Sequence, residues 1–468
     1  MITMNNKKKI YLIAILAFFG IIYFLVSVVP HINFQTNAFD LGIFNQAIKQ
    51  YANFQIGPNT VRSVPSLFAD HFEGTMFLFA PLYWIFGSYT LLLVQIGSIL
   101  LGSFGVYLLV KKESKNNQSI ALVGTVVFLL FFGIFTALAF DYHNNVIGTM
   151  LIPWLLYFMA SRKIKAYYLI LALFLLSKEN MALITILLGI SIMIFDDKKI
   201  KKHGAITLLV SLLYFFISLK TIEYLNGSYD HWPYMALGES PIEALKFILL
   251  HPIQTLFLLF DDPIKIKMWV LILVSGGALA LLKPKYFILL LPVIGQKFFA
   301  DEPAFWGYTF HYSVEFAPVI AIGSVLFLST LKNTRVRSIS LSLLVLINIA
   351  ILTQVNFYNG ETIFRIFDSN YYEMSNRESL EIAINQIEDA ESISAQNTIV
   401  PHLKNDRIYL LPQIEDSDYV ILNVEDTNIW PFEGKHDLIN QIVELEENPL
   451  YEEVYSSQGV HLFKSVER

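Results

Sequence analysis

The sequence predicts an α-helical, multi-pass membrane protein with about eleven transmembrane helices and a small C-terminal α/β domain outside the membrane. Three observations predict this. Apolar residues make up 55% of the 468 residues and charged residues only 15%, with a mean hydropathy of +0.52, whereas a soluble chain carries about 25% charge. Apolar runs of roughly membrane-spanning length recur along most of the chain. Charge is also unevenly divided: 26 basic and 17 acidic residues precede residue 354, while seven basic and 22 acidic residues follow it.

The apolar runs fall at 10–30, 89–110, 118–140, 146–160, 166–177, 181–195, 205–219, 266–282, 286–299, 312–330 and 338–353. The first follows Lys7, Lys8 and Lys9 but lacks a small-residue cleavage site, so it reads as an uncleaved span rather than a signal peptide. Alternate connectors hold 18 of the 26 basic residues before 354. The positive-inside rule makes those connectors and the N-terminus cytoplasmic, and an odd number of spans then puts the tail outside. Fourteen of the 17 acids and six histidines lie on or near the opposite, outer side. The working face is therefore expected to be extracytoplasmic, in a cell membrane. The domain division is 1–353 for the membrane part, with a long first outer loop at 31–88, and 354–468 for the tail.

That first loop opens with Asn37-Ala38-Phe39-Asp40-Leu41-Gly42-Ile43-Phe44. Leu41, Phe44, Ile48 and Tyr51 share one helical face, which suggests a helix lying in the membrane interface. Asn37 is placed to cap this helix and Asp40 to complement its dipole; the same Asp40 carboxylate is placed to act as a general base. Arg62 follows, then Asp70-His71-Phe72-Glu73, whose His71 and Glu73 are candidate ligands for a divalent cation such as Mg or Mn. Thr75–Phe86, with Pro81, is too short to span comfortably and reads as a re-entrant or interfacial piece. A second interfacial helix is expected at 241–259.

Two short outer connectors are dense in ionisable groups: Asp141-Tyr142-His143-Asn144-Asn145, and Lys178-Glu179-Asn180. Charges this close to hydrocarbon are costly and tend to line water-filled cavities; a mutual Lys178–Glu179 pair is the plainer reading. His311-Tyr312-x-x-Glu315 opens a span, and helical spacing puts His311 and Glu315 on one face, in a site or in a buried His–Glu hydrogen bond. The catalytic candidates are Asp40, Glu179 and Glu315. Arg62, His71, Asp141, His143, Lys178, His311 and Tyr312 are candidates for binding substrate.

In the tail, 374–390 reads as a charged helix. Ser392–Gln396, Arg407–Leu411 and Tyr419–Val424 read as strands, His436–Glu446 as a helix, and Tyr451–Tyr455 with Val460–Phe463 as a hairpin around Ser-Ser-Gln-Gly. The absence of cysteine excludes disulfides and thiolate chemistry. No P-loop, dinucleotide fingerprint or G-x-S-x-G elbow is present, and no basic patch suits nucleic acid.

Phe39-Asp40-Leu41-Gly42-Ile43-Phe44-x-Gln46, His71-Phe72, Pro81-Leu82-Tyr83, Gln95, Lys178-Glu179 and His311-Tyr312-x-x-Glu315-x-x-Pro318 together resemble the membrane proteins of domain-of-unknown-function family 2079. So do Ser394-Ala395-Gln396, Pro401-His402-Leu403 and Asp418-Tyr419-Val420 in the tail. That family is similar in architecture to the GT-C glycosyltransferases, which carry an acid shortly after the first span and take sugar from a polyprenyl-phosphate donor. The resemblance implies Asp40 as the base, although the acidic pair usual in GT-C enzymes is reduced here to one acid. It also implies a lipid-linked phosphosugar donor and a glycan, lipid or protein acceptor. A transporter or lipid flippase, or a non-catalytic envelope assembly protein, are the competing classes; the ion-poor cytoplasmic connectors speak against alternating access.

Overall fold

The computed structural model describes residues 6–229, 231–387, 389–414 and 417–466. The chain divides into two compact units. The first, the helical unit, contains the residues up to 26, 71–75 and 95–365. The second, the mixed unit, contains 27–70, 76–94 and the residues from 366 onward. All of the first loop except 71–75 thus groups with the tail, a grouping that a linear division at residue 353 does not draw.

Each of the eleven apolar runs is helical. Six segments are long and apolar enough to cross a membrane: Asn6–Ile32, Met76–Glu113, Lys198–Asn226, Pro263–Leu281, His311–Ser329 and Thr334–Leu352. The run at 118–140 is two helices, Gln118–Leu129 and Phe132–Ala139, bent by 41°; counted as one span, it makes seven. Asn144–Ala160, Ile164–Leu175 and Glu179–Phe195 are apolar but shorter. Ile164–Leu175 rises only about 18 Å against a hydrocarbon core of about 30 Å, so eleven spans exceed what helix length by itself supports. The chain is a multi-pass membrane protein.

Local sequence explains the breaks. Asn117 caps its helix by accepting from the Ser119 and Ile120 amides. Gly133 lets the second half of the bent pair approach residues 311–316, because a Cβ there would meet the Ser313 backbone at 2.6 Å. Gly276, at φ +123°, interrupts the helical run after Ile272. The expected helix at 241–259 is two, Pro241–Leu250 and Pro252–Phe257. Pro252 cannot continue the preceding helical hydrogen-bond pattern.

In the mixed unit, β1 (Ser392–Ala395), β2 (Arg407–Leu410), β3 (Tyr419–Asn423), β4 (Tyr451–Ser457) and β5 (Val460–Ser465) form one sheet in the order β2-β1-β3-β5-β4. β1 pairs in parallel with β2 and β3, while β5 runs antiparallel to β3 and β4. Gln458 and Gly459 both have positive φ, the backbone that a two-residue hairpin turn requires. Helix Lys435–Glu447 places Leu438, Ile442 and Leu445 in one core with Leu411, Val420, Leu422 and Phe463. Asp418 accepts from the Glu391 and Ser392 amides, tying the start of β3 to that of β1.

Helix Ile43–Ala52 differs from expectation. It is buried on most sides, including Asn45 and Gln46. Tyr51 stacks on Phe77 at 4.2 Å between centroids, and Asn45 and Gln46 donate to the Pro401 and Asp406 carbonyls. Its apolar face is thus covered by protein, and the long-range partners of its amides are invisible in the helical pattern.

Candidate functional site

In the helical unit, connectors and helix ends that are distant in sequence meet in one buried polar network. Asn144 joins three of them: it accepts from the Thr75 and Tyr142 hydroxyls at 3.0 Å each and donates to the Ser177 carbonyl at 2.6 Å. Gln95 holds the Asp141–Asn145 segment by donating to the Asp141 carbonyl and accepting from the His143 amide. Asp141 itself is buried at φ +54°, a conformation that Asp tolerates better than most residues. Asn180 donates to Gln296 at 2.9 Å, which brings in helix Pro284–Phe298.

The charged groups pair across this network rather than along the chain. His71 Nδ1 lies 2.9 Å from Glu179 Oε1, and the Phe72 amide donates to Glu179 Oε2 at 3.0 Å. Lys178 Nζ lies 3.7 Å from Glu73. The neighbouring Lys178 and Glu179 therefore face different partners, and the expected pair between them is replaced by two pairs with the 71–73 segment. Burial opposes ionisation of Glu179, yet the charge and hydrogen bond of His71, with Lys178 beside it, outweigh it, and the carboxyl is drawn down to about 2. Burial, with Lys178 beside it, also lowers the His71 pKa, while Glu179 opposes that shift.

His311 and Glu315 also part company. Residues His311–Phe316 form a 3-10 helix, in which residues three apart eclipse and residues four apart do not. His311 stacks on His143 at 3.4 Å between centroids. Glu315 instead takes Lys297 and Asn145, each at 2.9 Å. Tyr312 stacks on Phe305 and carries Lys297 Nζ 5.0 Å over its ring. Lys297 was missed as a site residue. The signal for it was its position as the lone charge in the run 286–299, since an ionisable residue in a span is a functional candidate by default.

Asp40 and Arg62 belong to the mixed unit. Asp40 is half-buried in the helical turn Ala38–Gly42. Asn37 makes no cap there; its Oδ1 accepts from Asn397 and Asn428 instead, and the Ala38 amide donates to Asn397. These bonds fix the chain just before Asp40. Arg62 Nε lies 3.1 Å from Asp70. Of the two candidate cation ligands, His71 has its Nδ1 on Glu179, and Glu73 faces the Lys178 ammonium.

The family model described as "Predicted membrane protein (DUF2079)" matches residues 30–460, so the chain belongs to that family. No curated protein is similar to the chain in sequence. Among solved structures, it is similar to ArnT from Cupriavidus metallidurans bound to undecaprenyl phosphate, with 12% identity, 97% of each chain covered and a TM-score of 0.56. It is also similar to the Archaeoglobus fulgidus oligosaccharyltransferase tethered with an acceptor peptide, at 13% identity and a TM-score of 0.50, covering 89% of this chain and 69% of that one. These neighbours are GT-C fold glycosyltransferases, and the likeness is one of fold.

Proposed function

We propose that this DUF2079 member is an integral-membrane glycosyltransferase, moving a sugar from a polyprenyl-phosphate donor to a glycan, lipid or protein acceptor at the outer face of the membrane. The observation that carries this reading is the buried network of the helical unit. It holds Lys178, Lys297, Glu73, Glu179 and Glu315 among apolar helices, where unneeded charge would be selected against for its desolvation cost. The fold shared with a structure bound to undecaprenyl phosphate supports a lipid-linked donor, and so does chemistry, since nucleotide sugars are lacking at an outer face.

In this reading Asp40 takes the proton of the acceptor hydroxyl as its oxygen bonds to the anomeric carbon. The bond from that carbon to the phosphate oxygen breaks, and the phosphate leaves with the electron pair. The charge that develops on it calls for a cation, and Arg62, in the same unit as Asp40, supplies one. Glu179 is too weak a base at about 2 and is assigned to positioning His71; Glu315 is committed to Lys297 and Asn145. No step calls for a divalent cation.

The test is transfer of radiolabel from a polyprenyl-phosphate sugar by the purified chain in nanodiscs. Transfer that is lost in Asp40→Asn supports the reading; no transfer to any glycan, lipid or protein acceptor overturns it. Orientation is tested by single cysteines at Ser114 and Ser457. Labelling of position 457 but not 114 by an impermeant maleimide on intact cells is expected, and the reverse pattern would put the tail inside.

A further inference from the structure

The mixed unit contains a cavity of about 250 Å³ that the proposed chemistry leaves unused. All of its lining residues belong to that unit. Ile32, the last residue of the first apolar helix, and Tyr89, just before helix Thr90–Glu113, stand on one side. Asn385 and Glu381 of helix Arg377–Asn385, with His402 and Lys404 of the loop after β1, stand on the other. The His402 ring is held between His31, at 4.1 Å, and Phe34, at 3.9 Å between centroids. Its Nε2 is buried without a hydrogen-bond partner. Burial, then His31 and Arg377, push its pKa well down, so the imidazole is neutral and its two nitrogens are one donor and one acceptor.

The lining selects among ligand classes. An acyl chain would leave the buried His402 nitrogen unsatisfied against hydrocarbon, which is costly. An anion would meet Glu381 beside Lys404. Pockets for drug-sized molecules hold about 300–1,000 Å³, so this one suits a single ring. A sugar ring presents hydroxyls that both donate and accept, together with C–H faces that pack on aromatic side chains. That is the chemistry that Phe34, Tyr89, Asn385, Glu381 and His402 offer together. We propose that this cavity is a saccharide-binding site taking one pyranose ring. That it serves the acceptor rests on the transferase reading; that it binds sugar does not.

Saturation-transfer NMR on the full chain in nanodiscs tests it, with methyl glycosides of glucose, galactose, mannose and N-acetylglucosamine as probes. At least one glycoside should receive saturation from the protein, and inorganic phosphate should not displace it. Asn385→Trp, at an exposed position, should fill the cavity and abolish the signal, while Tyr89→Ala should weaken binding about tenfold. Tighter binding of the same sugar on a short isoprenoid phosphate would identify a lipid-linked source, and equal binding a free glycan end. Silence from every glycoside, displacement by phosphate, or a signal unchanged in both variants overturns the proposal. Radiolabel transfer measured on the same sample separates the two readings: transfer without glycoside binding sinks only the pocket, and glycoside binding without transfer sinks only the transferase.

Discussion

The two units handle charge in opposite ways. In the helical unit Lys297 and Glu315 pair at 2.9 Å with side chains 2% and 0% exposed, and Glu179 is buried against His71. In the mixed unit, which contains most of the acid-rich tail, Arg377–Glu381 and Arg407–Glu391 are solvent-exposed pairs, buried Asp70 pairs with the partly exposed Arg62, and neutral amides such as Asn45, Gln46, Asn397 and Asn405 supply many of the deep polar contacts. A unit that faces water can leave its charges there, and amides then supply specificity at little desolvation cost. Charges kept inside an apolar bundle are retained against that cost, which directs attention to function.

Asp40 is the exception that could break this contrast, since the proposed base lies in the mixed unit. Asp40→Asn should lower transfer by about 10²–10⁴-fold at unchanged expression. Near-normal transfer would confine the chemistry to the buried network. Next in size, Lys297→Met should cost about 3–5 kcal/mol by leaving Glu315 as an uncompensated buried charge. The double variant with Glu315→Leu should recover most of the loss in denaturant unfolding; if it does not, the pair is not what the bundle depends on.

The pH dependence sharpens the same point. Glu179 has its pKa lowered from 4.5 to about 2. A depressed carboxyl contributes stability that is complete above its unfolded pKa and is lost as pH falls through the folded one. The wild type should therefore lose about 3 kcal/mol as pH falls from 4.5 toward 2, and Glu179→Gln should lack this component; identical acid profiles would remove the pair from the account. The smallest effect belongs to the mixed unit, where Arg407→Ala should cost less than about 1 kcal/mol and be insensitive to what surrounds it. A larger loss would show that unit to depend on its surface charges after all.

Much of the architecture was legible because it depends on local pattern. Apolar runs became helices, and the tail strands lie within a residue or two of where alternation placed them, Ser392–Ala395 for 392–396 and Tyr419–Asn423 for 419–424. The hairpin at Gln458-Gly459 follows from turn chemistry. The candidate site was legible only as residue types crowded at connector ends. Residue type marks His71, His143, Lys178, Glu179 and His311, but the pairs that spacing suggests, Lys178–Glu179 and His311–Glu315, join sequence neighbours, and no local motif marks Lys297.

The sequence by itself determined the solvent this protein folds in, the helical character of each apolar run and the hairpin, because hydropathy and turn preference act over a few residues. Tertiary structure alone decided that Lys178 faces Glu73, that His71 takes Glu179, that Glu315 leaves His311 for Lys297, and that helix Ile43–Ala52 is walled in by the tail. Coulombic and hydrogen-bond partners are chosen by distance in space. In a bundle of apolar helices, the groups that end up about 3 Å apart come from connectors up to a hundred or more residues apart in the chain.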